Sequence, residues 1–267
     1  MHFEAIKYKD LEELRNLQPD DWPDIIPDFE FYIESAFCHP IKTEVDEKIV
    51  GTGVSIVFGK TAWLSHIIVD QGHRNSGIGS GITDQLLSIL KDQSVKSCLL
   101  LASEMGLHIY QDAGFRIVTE YTYLKRKGQW PGWPVSQSVI PYRPEYREEI
   151  LKLDTEISGE SRRSLLEDHL ENSSVFIENS KVKGFYIPDI GEGLIFATNR
   201  DAGIELMKVK YSNMDKAVLP IDNTEGIEFL KQNGFVVSEK KGTRMIFGKD
   251  IDWKPQNIYS RIGGNFG

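Results

Sequence analysis

Arg74, Gly77 and Gly79, followed further on by Tyr110, are the residues whose types and spacing could do chemistry. The first three sit in Val69-Asp-Gln-Gly-His-Arg-Asn-Ser-Gly-Ile-Gly-Ser80. The apolar run Trp63–Val69 precedes them and reads as a strand; Ile82, Leu86, Ile89 and Leu90 follow at helical spacing. A strand, a turn of little side-chain bulk and a helix start aim unpaired N–H groups at one point, backed by the positive end of the helix dipole. Glycine lets the backbone approach a bulky anion, so a diphosphate suits the pattern. Gly77, Gly79 and Gly81 give G-x-G-x-G and lack the last glycine of the dinucleotide fingerprint. No Lys follows Gly81, which excludes the P-loop.

A second motif, Ser103-Glu-Met-Gly-Leu-His-Ile-Tyr110-Gln-Asp-Ala-Gly114-Phe115, follows the buried-strand run Ser97–Ala102. Arg74-x-x-Gly77-x-Gly79 after one strand, with Gly106, Ile109, Tyr110, Gly114 and Phe115 after the next, resembles the coenzyme A loop and following helix of the GNAT acetyltransferases. Ser103 stands where that family usually has Asn.

The resemblance implies acetyl-CoA as co-substrate, no metal, and direct acetyl transfer to an amine. It implies that Arg74, Asn75, Ser76, Gly77, Ile78, Gly79 and Ser80 hold the diphosphate. It also implies that the edge of Ile67, Ile68 and Val69 would pair with the pantetheine arm, and that Tyr110 would give a proton to the departing sulfur. Ser103 either hydrogen-bonds the coenzyme or caps its helix. Candidate acceptor residues are Trp22, with the carboxylates of the loop Asp20–Asp28, and Trp63 and Ser65 on the strand before the coenzyme loop. A solvated acidic loop with Trp22 packed as an anchor is the other reading.

No residue stands out as the general base. Trp63 and Ser65 occupy the positions where the family often carries one, and neither is basic. His66 titrates in a useful range, but strand alternation sets it on the face opposite Trp63, Ser65 and Ile67. Glu104 and the acidic loop, acting through water, are further candidates.

The elements that position these residues follow from pattern. Glu4–Tyr8 reads as an edge strand, and Asp10 as the N-cap of a helix with Leu11, Leu14 and Leu17 on one stripe. Phe29, Tyr32, Ile33 and Phe37 make another helical face. Residues 41–63 read as a meander with turns near Asp46–Lys48 and Gly59-Lys60, and Tyr121–Lys125 as a last strand. Lys127-Gly-Gln-Trp-Pro-Gly-Trp-Pro134 is a linker candidate, and Trp130 and Trp133 argue that it is docked.

The second half repeats the first. Val218–Phe235 aligns without a gap on Cys98–Phe115: Gly226 matches Gly106, Gly234-Phe235 matches Gly114-Phe115, and Asn223 restores the family's Asn. Upstream, Arg200-x-x-Gly203 keeps part of the loop pattern, while Glu205 replaces the second glycine and would repel a diphosphate. Leu230 replaces the tyrosine.

The expected fold is α/β, with two GNAT-like domains in tandem, each a mixed, mostly antiparallel sheet flanked by helices. Residues 1–127 form the acetyl-CoA-binding domain, 128–140 the linker, and 141–267 a degenerate copy.

Composition agrees with two soluble domains in 267 residues. With 31 basic against 40 acidic residues, the net charge of −9 argues against nucleic-acid binding. No apolar run reaches membrane length, and the first residues lack a signal-peptide pattern, so a cytoplasmic protein is expected. Cys38 and Cys98 do not make a disulfide framework. The expected function is acetyl-CoA-dependent N-acetyl transfer to a small metabolite or amino acid, by a monomer or homodimer. The alternatives are a silent acyl-CoA-binding module and a peptide or protein acetyltransferase.

Overall fold

Asp46, Glu47 and Gly59 take up left-handed backbone, which turns the chain between apolar strands and builds the meander. In a computed structural model of the chain, which describes residues 1–20, 22–128 and 132–267, two compact units form.

The first unit comprises Met1–Ile117 with two late segments, Met245–Lys249 and Gly264–Phe266. Its elements are β1 (Glu4–Ala5), α1 (Leu11–Leu14), α2 (Ile26–Glu34), β2 (Cys38–Val45), β3 (Lys48–Phe58), β4 (Thr61–Val69), α3 (Ile78–Lys91), β5 (Ser97–Ala102) and α4 (Leu107–Asp112). Strands β1 to β5 lie in chain order. Neighbours are antiparallel except β4 and β5, which are parallel. The Ser97 hydroxyl donates to the Lys249 carbonyl at 2.7 Å, fixing one late segment beside β5.

The apolar stripe of α3, Ile78, Ile82, Leu86 and Leu90, packs on β3 and β4. Close approach requires glycine in β3: a Cβ at Gly53 would stand 2.7 Å from Ile82 Cγ2 and 3.0 Å from Leu86 Cδ1.

Two local expectations change. The edge strand stops at Ala5. Asp10 stands at the N-cap position of α1 but makes no side-chain cap bond there. Its carboxylate accepts the Lys7 amide at 2.8 Å, closing a short turn, and takes the Lys42 ammonium at 2.8 Å. A buried carboxylate with a cation in reach is better satisfied there than at a helix end.

The second unit comprises Val118–Arg244, Asp250–Gly263 and Gly267. It contains most of β6 (Arg116–Arg126), then β7 (Val139–Pro141), α5 (Arg147–Ser158), α6 (Arg163–Leu166), β8 (Ser174–Glu178), β9 (Lys181–Ile187), β10 (Leu194–Ala197), α7 (Arg200–Tyr211), β11 (Lys216–Pro220), α8 (Thr224–Gln232), the larger part of β12 (Phe235–Gly248) and β13 (Ile258–Ser260). One sheet runs β13-β10-β9-β8-β7, while β11 pairs with β6. The core gathers Ile195, Leu206, Met207, Tyr211, Leu219 and Leu230.

The sequence puts a linker at 128–140, whereas the compact units divide at Ile117 and exchange short late segments. Trp133 is docked, its indole N–H on Asn233 Oδ1 at 3.1 Å and its ring tilted against Phe229. Trp130 and Asp21 lie outside the described residues. Among the described residues no helix is long and apolar enough to cross a membrane.

Gly53→Ala should destabilise the protein by about 1–3 kcal/mol through overpacking against α3, read from denaturant unfolding.

Candidate active site

The site starts from a break in strand register. β3 and β4 pair as Val54↔Ser65 and then Thr52↔Ile68, so β4 carries an extra residue. His66, with φ of 47°, occupies this bulge. The bulge inverts the alternation of β4. Before it, Ala62 and Leu64 belong to the α3-side core; after it, Ile67 and Val69 do. His66 therefore joins Ser65 on the α2 side, where simple alternation had separated them. A left-handed histidine costs roughly 1–3 kcal/mol, and such strain gathers at functional positions.

The pairing of β4 with β5 stops before the bulge. Parallel pairing of β4 with β5 runs through Thr61↔Ser97 and Ala62↔Cys98 and ends at Trp63↔Leu99. Ile68 and Val69 pair with β3, and neither they nor Ile67 pair with β5. β4 leads on into the Asp70–Gly77 connection. Asp70 Oδ1 accepts the Gly72 amide at 3.0 Å and meets His73 Nδ1 at 2.7 Å, while the Ser76 hydroxyl donates to the His73 carbonyl. Arg74 folds back to give its Nε–H to the Val69 carbonyl at 3.3 Å. Asn75, with φ of 61°, and Gly77, with φ of 84°, complete the turn.

The first bond into α3 runs from the Gly81 amide to the Gly77 carbonyl, so the amides of Ile78, Gly79 and Ser80 form the open first turn. A Cβ at Gly77 would meet nothing within 4 Å; one at Gly79 would stand 3.2 Å from Ile109 Cδ1. Open space over a helix start, with α4 close alongside, fits a bulky anion.

Tyr110 lies on α4 with its ring over Gly106, whose missing side chain makes the room: a Cβ there would come within 2.9 Å of the ring. Phe115 supports it edge-on. Burial pushes the phenol up to about 12, so it keeps its proton at neutral pH and can donate it. Ser103 Oγ accepts the Gly106 amide at 3.4 Å and its carbonyl accepts the same amide at 3.1 Å, a turn-holding position ahead of α4.

Trp22 and Ser65 border a polar cluster that the sequence did not mark. The phenol of Tyr32, on α2, lies 3.0 Å from His66 Nδ1, and Ser65 Oγ lies 3.2 Å from the same nitrogen. His66 Nε2 faces Asp28 Oδ2 at 3.5 Å. Asn265 Nδ2 donates to Asp28 Oδ1 at 3.2 Å and to the Tyr32 oxygen at 3.0 Å. Burial, reinforced by the Asp28 charge, pushes the Tyr32 phenol well up, so its O–H remains a donor for His66. Trp22, 37% exposed, sets its ring edge against His66 at 5.6 Å. Asp28 keeps 36% of its side chain in solvent while His66 is nearly enclosed.

Trp63 stands apart: it is fully buried, its backbone paired opposite Ile56 and Leu99. Asp28 and Tyr32 stand one helical turn apart, a signal available in the sequence; Asn265 gives none.

The second unit differs at the matching place. Asn199 caps α7 by accepting the Ala202 amide, and the helix begins at once with Arg200. Arg200-x-x-Gly203 is therefore the first turn of a helix, not a loop. Glu205 does not face that end: it accepts the Ser136 amide at 2.8 Å and pairs with Lys208 at 2.6 Å. Its supposed repulsion of a diphosphate is corrected accordingly.

A mixed α/β unit whose central strands part beside a glycine-opened helix start has the fold of the GNAT acetyltransferases. Residues 8–115 match the model of the Acetyltransferase (GNAT) family. Over its full length the chain is similar to a candidate acetyltransferase from Pyrococcus horikoshii, with TM-score 0.84 at 18% identity, covering 100% of this chain and 95% of that one. It is similar to a GCN5-related N-acetyltransferase from Sphaerobacter thermophilus, with TM-score 0.67 at 12% identity over 95% and 98% of the two chains. A conserved protein of unknown function from Enterococcus faecalis gives TM-score 0.60 at 13% identity over 96% and 73%. At these identities the likeness is one of fold. Comparison with curated proteins gives no match.

Nitrogen-15 spectra should show His66 Nδ1 hydrogen-bonded to Tyr32, and Tyr32→Phe should shift that resonance. Asn265→Ala should lower the unfolding free energy by about 1 kcal/mol, read from denaturant melts.

Proposed function

We propose that the chain is an acetyl-CoA-dependent N-acetyltransferase whose first unit acetylates the amine of a small metabolite or amino acid. The observation that carries this reading is the parting of β4 from β5 after Trp63↔Leu99, with the open turn at Gly77 at one end. Acetyl-CoA, when bound, supplies an activated acetyl group on sulfur. The amides of Ile78, Gly79 and Ser80 suit its diphosphate, and the unpaired edge of Ile67–Val69 suits its amide-bearing arm. Tyr110 holds the proton that the departing sulfur needs.

At the acceptor end Asp28 presents a carboxylate held by Asn265 and Trp22 a partly exposed ring; the carboxylate and the face of that ring suit a cationic amine. The amine must shed a proton before it attacks. Asp28, backed by His66, is the proton-accepting pair in this reading. The second unit is read as a copy that keeps the architecture without the reaction: it lacks the loop and has Leu230 in place of the tyrosine.

Free-thiol release from acetyl-CoA against a panel of small amines tests this. Turnover with at least one amine is expected. Tyr110→Phe should cut it roughly 100-fold with little change in coenzyme affinity. Gly77→Val should instead weaken coenzyme binding, because a β-branched residue resists φ of 84°. Tight coenzyme binding with no amine-dependent thiol release would identify a silent binding module.

A further inference from the structure

The place in the second unit that matches the open cleft of the first is filled by the chain itself. β10 leads into α7 and β11 into α8, as β4 leads into α3 and β5 into α4. β13 pairs antiparallel with β10, Ile195 opposite Ser260 and Phe196 opposite Ile258, and touches β11 on its other side. Side chains fasten it. Asn223 Nδ2 donates to the Ile258 carbonyl at 2.9 Å, and Asn257 Nδ2 donates to the Ala197 carbonyl at 2.6 Å. The Lys210 ammonium, on α7, donates to Ser260 Oγ.

Tyr259 goes deepest. A Cβ at Gly203 would fall 2.2 Å from Tyr259 Cζ, and one at Gly226 would fall 3.2 Å from Tyr259 Cδ1. The ring therefore lies against the first turns of both α7 and α8, and its hydroxyl donates to Glu225 Oε2 at 3.3 Å. Asn223, the residue that restores the family's Asn, spends its amide on this strand rather than on a ligand.

We propose that the second cleft is a binding site for an extended peptide strand, permanently taken by residues 257–260 of the same chain with Tyr259 as the inserted side chain. This rests on reading the second unit as a copy of the first. It replaces electrostatic repulsion by Glu205 with steric occupation as the reason that unit takes no coenzyme. One chain then binds one coenzyme A.

The test uses the full chain, calorimetric titration with coenzyme A, and amide hydrogen exchange. Wild type should bind one equivalent, and the β13 amides should exchange slowly with or without coenzyme. Gly203→Ala drives a methyl into the Tyr259 ring, so the β13 amides should exchange at least tenfold faster while affinity for the one coenzyme stays within twofold. If that variant fails to fold, Asn223→Ala, which removes the bond to Ile258, should give a smaller acceleration confined to the same amides. Two equivalents bound by wild type, β13 protection that falls on adding coenzyme, or unchanged β13 exchange in both variants would each overturn the proposal. No coenzyme binding at all, with Gly203→Ala still releasing β13, would sink the acetyltransferase reading and leave the occupied cleft standing.

Discussion

One extra residue in β4 governs the first unit. A strand that pairs on both sides has no room for a ligand, and a strand that frays on both sides has no rigidity. Around the bulge at His66 the two sides of β4 differ: it stays paired with β3 as far as Gly51↔Val69, with a one-residue shift of register, while its pairing with β5 stops at Trp63↔Leu99. The cleft is thus bounded by a strand held from behind, and main-chain groups on its open side keep their directions. A ligand that pairs with such an edge meets donors and acceptors already ordered, so little entropy remains to be lost on binding.

The same bulge explains why polar chemistry gathers on the α2 side. Inverting the alternation brings His66 beside Ser65, under Trp22 and Phe29. An enclosed imidazole must satisfy both ring nitrogens. Tyr32 serves one and Asp28 faces the other. Asn265 then closes the circuit, holding the second oxygen of Asp28 and the oxygen of Tyr32. Phe266 beside it packs edge-on against Phe31 and Tyr32, which anchors Asn265 through apolar contact as well. Each member orients the next, so the carboxylate that reaches solvent does so in a fixed direction. This is the kind of preorganisation a charged acceptor group needs, because a freely rotating Asp28 would lose entropy on every encounter.

How much of this the sequence disclosed depended on range. Arg74, Gly77 and Gly79 were legible because a tight strand–helix turn restricts residue types locally, and left-handed backbone at Gly77 is such a restriction. The pairing of Gly114-Phe115 with Gly234-Phe235 was legible for the same reason: both glycines sit at positive φ where a helix gives way to a strand. The bulge was not legible. Histidine is no turn former, and nothing in Leu64-Ser-His-Ile announces an inserted residue, because register is settled by the partner strand and by Gly53 opposite. Alternation then misled in proportion to its usual success, setting His66 on the wrong face. Asn265 and Tyr259 were beyond reach for another reason. They act at elements far away in sequence, and the tail containing them reads only as a segment with aromatic residues. Trp63 erred the other way: a position borrowed from a family pattern proved to be sealed core.

The two units also show what decides whether such a cleft stays open. In the first, the connection from β4 to α3 curls from Asp70 through Gly77 and leaves empty space beside Gly77. In the second, only Thr198 and Asn199 separate β10 from α7, so the helix starts immediately and the curl is gone. Without it the cleft has no reason to hold an anion, yet parted strands still leave backbone groups and apolar surface to cover. Leaving them uncovered costs several unsatisfied hydrogen bonds, each worth roughly 1–3 kcal/mol. A strand of the same chain is the cheapest cover, since it brings its own donors and acceptors at the right repeat. Tyr259 adds bulk against the first turns of α7 and α8. The short turn and the added strand therefore answer each other: where Thr198 and Asn199 leave no curl for an anion, β13 supplies the partner that the free edge of β10 requires.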